Sequence, residues 1–238
     1  MSQETLYNPA FVADLFNRMS TSYTAMNSIT SFGFYPLWRK LAIKKLSLKP
    51  GAHVADLLAG PGECWKHLLH KIGPEGRLTA LDFSEGMMGR ARQRKQHFSN
   101  YQIELLQKNV FHSGIPDNSQ DAVVCCYGLK TFSEEQLGEF AEEIMRILKP
   151  GGTYSLVEVA MPKNQLLRKG YHFYLKHVIP FISKKCVRFP ETYNYLEVYS
   201  NRFGGFDHLN NALKTYNGNP QMEDLTWGCA KRIWGFKS

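Results

Sequence analysis

Short apolar runs recur along this chain near residues 53–57, 77–82, 102–107, 121–126 and 153–159, with apolar residues at helical spacing between most of them. Runs of that length read as strands and the intervening patterns as helices. Strands that alternate with helices and are apolar on both faces imply a parallel sheet covered on each side, an α/β domain. Two helical stretches precede the first strand, and residues 225–236 read as two more strands in a hairpin-like return. No internal repeat or low-complexity tract is visible.

The first strand leads into the most informative segment, VADLLAGPGE at 54–63. The apolar run carries Asp56, breaks at Gly60-Pro61-Gly62, and continues as a helical pattern over 64–72. A strand, a glycine turn and a helix in that order form the usual phosphate- or nucleotide-facing corner, because the turn lets backbone approach a ligand and the helix start offers unpaired N–H groups. The second strand, RLTAL, ends in Asp82, roughly 20 positions after the glycines, where a ribose-binding acid belongs. A dinucleotide loop wants a small residue three positions after Gly62, and this chain has Trp65. That argues against NAD or FAD and towards an adenosyl cofactor without a pyrophosphate.

Composition narrows the picture further. With 238 residues, 43% of them hydrophobic, the chain can bury the core of one domain. No window approaches the roughly 20 apolar residues needed to span a bilayer. The start, MSQETLYNPAF, lacks the basic and apolar regions of a secretory signal, so a cytoplasmic location is expected. Cys64, Cys125, Cys126, Cys186 and Cys229 are odd in number and contain no C-x-x-C pair. Neither a disulfide framework nor a metal site is suggested, and Cys125 and Cys126 read as strand packing.

Several segments together resemble a class I S-adenosylmethionine methyltransferase: VADLLAGPGE, LDFSEGMM at 81–88, IPDNSQDAVVCCYGLKTF at 115–132 and the LKPGG turn at 148–152. The order, with NRMSTSYTAMNSITSFGFYPLWRK, KHVIPFI, TYNYLEVYSNRF and the closing RIWGFK, is similar to the ubiquinone and menaquinone C-methyltransferases, the UbiE family. The resemblance implies a doubly wound, Rossmann-like α/β sheet with an antiparallel C-terminal strand. It also implies one domain over 1–238, divided into an N-terminal helical cap (1–48), a cofactor-binding core (49–160), a substrate-cap insertion (161–215) and C-terminal strands (216–238). S-adenosyl-L-methionine is the implied cofactor. Asp56 is an implied cofactor-binding residue, the turn Gly60, Pro61, Gly62 would admit the methionine part, Asp82 would bind the ribose hydroxyls, Phe83 would pack on adenine, and Asn109 and Val110 would flank it. Cys126 and Tyr23 are the remaining implied cofactor contacts.

The chain departs from the family at four places. Lys130-Thr131 follows Gly128-Leu129 where quinone-methylating members carry Arg-Asn, Thr24 follows Tyr23 where they carry aspartate, Leu58 replaces a small residue, and Pro61 replaces threonine. Lysine is a point charge and arginine a planar fork, so the first of these changes active-site chemistry. Candidate bases are Lys130 after the fourth strand, Glu158 at the end of the fifth, and His172 and His177 in the insertion. Each histidine also reads as a structural residue of an aromatic helix.

Between Lys163 and Phe206 the chain mixes nine aromatics, from Tyr171 to Phe203, with basic residues such as Arg168, Lys169, Lys184 and Lys185. In related enzymes that insertion covers the substrate. The expected activity is methyl transfer to a hydrophobic small molecule, quinol-like, phenolic or prenylated. The net charge of +8 favours anionic partners. It leaves open an RNA methyltransferase, but the cations are spread and no RNA-binding module is visible, so no nucleic acid is expected. Peripheral membrane contact, a homodimer, and a repurposed member that keeps the cofactor without methyl transfer also stay open.

Overall fold

The computed structural model describes residues 3–238. Five parallel strands, β1 (His53–Leu57), β2 (Arg77–Leu81), β3 (Gln102–Leu106), β4 (Gln120–Cys126) and β5 (Leu148–Val159), are extended at one edge by β6 (Gln221–Leu225) and β7 (Ala230–Phe236). The order across the sheet is β3-β2-β1-β4-β5-β7-β6, and β7 runs antiparallel to both neighbours. This is the expected doubly wound α/β sheet.

The period of two along each strand divides the core into two layers. Val54 on β1 and Ala122 and Val124 on β4 face Leu68, Leu69 and Ile72 of α5 (Trp65–Ile72) and Ile43 of α4 (Phe34–Lys44). Ala55, Leu57, Val123 and Cys125 face the opposite way, onto Phe140 and Ile144 of α7 (Glu134–Ile147). Because both faces are covered, the strands read as continuous apolar runs rather than as alternation.

Helix starts are capped by short polar residues. Ser84 accepts from Met87 N at the start of α6 (Glu85–Lys95), and Ser133 with Gln136 forms a capping box on α7. The chain winds outward from β1 to β3 and, in the other direction, from β4 to β5. The carboxyl ends of β1 and β4 therefore bracket the crevice at which ligands bind in open sheets of this type.

The structure corrects the element reading in three places. Among the described residues four helices precede β1, not two: α1 (Gln3–Leu6), α2 (Pro9–Met19), α3 (Tyr23–Thr30) and α4. Pro9 opens α2, and the turn at Phe32 and Gly33, both at positive φ, separates α3 from α4. The C-terminal hairpin starts earlier than expected, at Gln221, with its turn at 226–229. β6 is an exposed edge strand whose QMED lacks an apolar face, so nothing in its pattern marks it.

The third correction concerns the insertion. After β5 come α8 (Gln165–Phe173), a π-helical turn (Tyr174–Val178), α9 (Ile179–Cys186) and α10 (Asn194–Arg202). Leu175, Ile179, Tyr193 and Tyr199 from this stretch form a third apolar cluster with Leu6, Leu15 and Met26 of the N-terminal helices. α11 (Phe206–Thr215), expected to belong to the cap, instead buries Phe206, Leu209 and Leu213 in the layer of α7. No helix among the described residues is long and apolar enough to cross a membrane.

Candidate active site

The loop after β1 is held by the acid after β2. Gly60 N donates to Asp82 Oδ2 at 2.8 Å, and Ser84 N donates to Asp82 Oδ1 at 2.9 Å. Burial pushes the Asp82 carboxyl up to about 6, partly offset by those backbone N–H groups. Each carboxylate oxygen still has a free lone pair for a hydroxyl donor. Gly62 is at φ +80, and a Cβ there would lie 2.5 Å from the ring of Trp65, which is wholly buried beneath it. The large residue that argued against a dinucleotide is thus the floor of the loop.

Asp56 lies deeper in the same corner. It is 1% exposed, and neither carboxylate oxygen has a hydrogen-bond partner. The neighbouring indole N–H of Trp65 falls outside hydrogen-bonding geometry and is likewise unpaired. Burial pushes Asp56 up to about 7, moderated by the Arg39 cation and by Trp65. Arg39 is itself committed to Glu63, at 2.6 Å, and its guanidinium lies 4.6 Å from the Tyr35 ring. Tyr35 and Tyr127 stack at 3.6 Å, and the Tyr35 hydroxyl meets that of Tyr23 at 2.6 Å. Burial holds the Tyr23 phenol well above its ordinary range, so it stays a donor.

An apolar cavity of about 270 Å³, open at one mouth, adjoins these groups. Its walls come from the N-terminal helices and from α8 to α10, including Phe34, Tyr171, Tyr174 and Tyr195. Tyr23, Asn27, Lys130 and Thr131 bring polar groups to it. The Asn27 amide nitrogen is buried without a partner. Lys130 Nζ donates to Glu158 Oε1 at 2.8 Å, and the Lys130 backbone N–H donates to the other oxygen at 3.3 Å. Glu158 is wholly buried, so it orients Lys130 rather than meeting a ligand.

Phe83, Asn109 and Val110 line a second recess of only about 30 Å³. Leu58 narrows it: the residue sits at φ +54 and its side chain packs over Gly128. Above the Asp82 corner, Asn17 of α2 accepts from the Ser84 hydroxyl at 2.7 Å and from Gly86 N at 2.9 Å. The N-terminal helices therefore close directly over the acid.

Other candidates fall elsewhere. His172 does not line the cavity, although a catalytic role was expected for it. The stripe facing inward on α8 and its extension is Leu167, Tyr171, Tyr174 and Leu175, and His172 is turned away onto Asn201, at 2.9 Å, and Glu197. His177 is exposed against Phe173. Pro61 faces an open cleft with Arg90 and Arg94. Cys126 packs in the core beside Cys64, whose thiol is held well above its ordinary range by that contact and by burial.

Three groups escaped the sequence reading: Arg39, Tyr35 and Asn27. For Arg39 a signal existed, because Tyr35, Trp38, Arg39, Ala42 and Ile43 form one helical stripe and a cation on a buried stripe needs a partner.

The donor and acceptor set fits an adenosyl cofactor carrying a cationic end. An unpaired buried carboxylate suits an ammonium or sulfonium, and Asp82 suits a ribose. The recess by Leu58 is the tight part of the fit. Replacing Leu58 with alanine is expected to tighten S-adenosylmethionine binding about tenfold, as for roughly two buried methylenes no longer displaced; titration calorimetry of the two proteins checks it.

Comparison with known proteins gives the following. Residues 3–237 match the model of the ubiE/COQ5 methyltransferase family. A protein of Bacillus cereus named demethylmenaquinone methyltransferase is 30% identical over 227 residues, 95% of each chain. Among solved structures, a SAM-dependent methyltransferase from Aquifex aeolicus is 19% identical with a TM-score of 0.59, over 84% of this chain and 89% of that one. The [4+2]-cyclase SpnF is 14% identical with a TM-score of 0.61, over 85% and 80%. These structural likenesses speak for the fold, which hosts more than one chemistry.

Proposed function

The chain belongs to the ubiE/COQ5 methyltransferase family and is a methyltransferase, and from that premise we propose that it moves a methyl group from S-adenosylmethionine to a lipophilic, quinol-like acceptor. The observation that carries this reading is the aromatic-walled cavity of about 270 Å³ whose polar groups, Tyr23 and Lys130 among them, lie on the side of the glycine loop. Such a volume takes a substituted ring, and its walls exclude water.

Bound in the corner of Asp56, Gly60, Gly62 and Asp82, the cofactor would supply an electrophilic methyl on a sulfonium. The residues do the rest. Asp82 receives the ribose hydroxyls, Asn109, Val110 and Phe83 surround the adenine, and Asp56 faces the cationic end. Lys130, held by Glu158, stands where an acceptor hydroxyl would point, and a cation there eases its deprotonation and so raises the nucleophilicity of the ring or the oxygen. Tyr23 donates to the same region. Walls that fix the acceptor in line with the methyl supply much of the rate, since the transfer is a displacement that depends on alignment. In this reading residues 49–160 hold the cofactor, and the N-terminal helices with α8 to α10 close over the acceptor.

Parallel titration with S-adenosylmethionine, S-adenosylhomocysteine and NAD tests the cofactor, and methyl transfer to demethylated naphthoquinols and benzoquinols tests the acceptor. Binding of NAD alone would end the reading. Asp82→Ala is expected to weaken S-adenosylmethionine by about 1.5–3 kcal/mol, the range for a hydrogen bond to a charged group. Unchanged affinity would move the ribose site elsewhere.

A further inference from the structure

The mouth of the cavity carries apolar groups that the methyl transfer does not require. Phe32 and Trp227 line the cavity, yet they are 79% and 78% exposed. Leu166, one residue before the cavity-lining Leu167, is 83% exposed, and Ile29 is 60% exposed. They come from three separate segments: the α3–α4 turn, the start of α8 and the β6–β7 turn. Contacts join these segments at the mouth. The Phe32 ring lies 5.7 Å from that of Tyr174, the Trp38 indole donates to Thr226 at 2.8 Å, and Gly228 adjoins Pro162 and Lys163.

Both aromatics stand on strained backbone. Phe32 is at φ +50 and Trp227 at φ +55, a region that bulky residues seldom adopt. Conformational strain that turns large apolar rings towards water has no folding rationale, whereas it places them for a surface that covers them.

The charge around the mouth indicates what that surface is. From Val159 to Pro190 the sequence holds seven cations, Lys163 and Arg168 among them, and no Asp or Glu. From Leu15 to Ala55 it again holds cations and no acid. The nearest acid on the third segment, Asp224, is paired with Lys231 at 3.4 Å and with Lys163 at 3.8 Å. An apolar ring set in a surround where cations outnumber acids, and where the acid Asp224 is itself paired with Lys163 and Lys231, matches an anionic lipid bilayer, into which aromatics insert at headgroup level while Lys and Arg meet the phosphates.

We propose that the cavity mouth, formed by Ile29, Phe32, Leu166 and Trp227 with Lys163, Arg168 and Lys169 around it, docks on an anionic membrane surface. The acceptor then passes from the bilayer into the cavity without crossing water. This deepens the proposed function and rests on the cavity being the acceptor site. Docking itself is measured without cofactor or acceptor, so its failure leaves the methyl-transfer reading to the titrations above.

The test is co-sedimentation with vesicles of equimolar phosphatidylglycerol and phosphatidylcholine, and with pure phosphatidylcholine. The parent is expected to partition to the first and weakly to the second. F32S/W227S should lose at least about tenfold in partition, since two large apolar side chains no longer leave water, and K163E/R168E/K169E should lose the preference for the anionic vesicle. Trp227 also reports directly, because Trp38 and Trp65 are buried and Trp234 is half-buried. Brominated acyl chains should quench the parent's emission, while W227F should show little quenching yet still sediment.

Partition of folded F32S/W227S within twofold of the parent, or absence of quenching in the parent, overturns the proposal. Equal binding to both vesicles overturns its electrostatic half. A dimer that F32S/W227S dissolves, with no vesicle binding, assigns the patch to a second copy and overturns it as well.

Discussion

Lys130→Met is expected to destabilise the fold by about 3–5 kcal/mol and to lower turnover about 10²- to 10³-fold, two effects with separate causes. The first comes from Glu158. That carboxylate is wholly buried at the end of β5, and Lys130 supplies its counter-charge at 2.8 Å together with a backbone N–H at 3.3 Å. Removing the ammonium strands a charge in the core, and a loss of that size is a large share of the 5–15 kcal/mol that holds a typical domain together. The second comes from the cavity, where Lys130 is a cation in the lining of the proposed acceptor site.

The double variant K130M/E158L separates them. Exchanging a buried ion pair for apolar side chains of similar volume is often neutral, so the double variant should recover most of the stability while turnover stays low. Glu158→Gln should keep a hydrogen bond to Lys130, cost less stability than Lys130→Met, and lower turnover by loosening the lysine. Chemical denaturation and methyl-transfer rates on the same samples read both quantities. If K130M and K130M/E158L are equally unstable, the ion pair is not what holds this corner; if K130M/E158L turns over like the parent, Lys130 is scaffold.

The parts of this corner that could be read from the sequence are those written locally. Asp56, Gly60, Gly62 and Asp82 sit at fixed offsets around two strand ends, so their spacing alone places them together. β1, β2, β4 and β5 are runs of apolar residues because both faces are covered, whereas β6 is an uncovered edge and its Gln, Glu and Asp hide it. Arg39, Tyr35 and Tyr127 depend on how α4 meets the loop after β4, a contact between residues about 90 apart that no periodicity encodes. The same limit explains α11. Its stripe at 206, 209 and 213 shows that one face is buried but not against what, and the answer is the layer of α7 rather than the acceptor cavity. His172 and Tyr171 are neighbours in sequence, and only the docking of α8 decides that the tyrosine enters the cavity.

Cofactor affinity is expected to rise about tenfold per pH unit between about pH 6 and pH 7, more steeply below about pH 6, and then to level off, because the two carboxyls that receive the cofactor must first lose their protons. Asp56 ionises in the folded protein at about 7, and Asp82 at about 6, both raised by burial from the ordinary carboxylate range. A bound ammonium or sulfonium favours the ionised form of Asp56, so binding at lower pH must expel a proton. Without ligand the same shift works against the fold. Between about pH 4 and pH 7 the native state holds the Asp56 proton and the unfolded chain does not, so stability falls as pH rises through that window and is flat above it. The loss approaches about 4 kcal/mol for Asp56 alone. Asp56→Asn removes the buried charge and should therefore do two opposite things at pH 8. It should raise the unfolding midpoint of the ligand-free protein and weaken S-adenosylmethionine, with the pH slope of binding largely gone above pH 6, where only Asp82 remains to titrate. That pattern is the signature of a site that gives up stability for a ligand. Denaturant midpoints and titration calorimetry at pH 5, 6, 7 and 8 decide it. A D56N protein that is less stable than the parent and binds as tightly would make Asp56 an ordinary structural acid, and the cationic end of the cofactor would have to lie elsewhere.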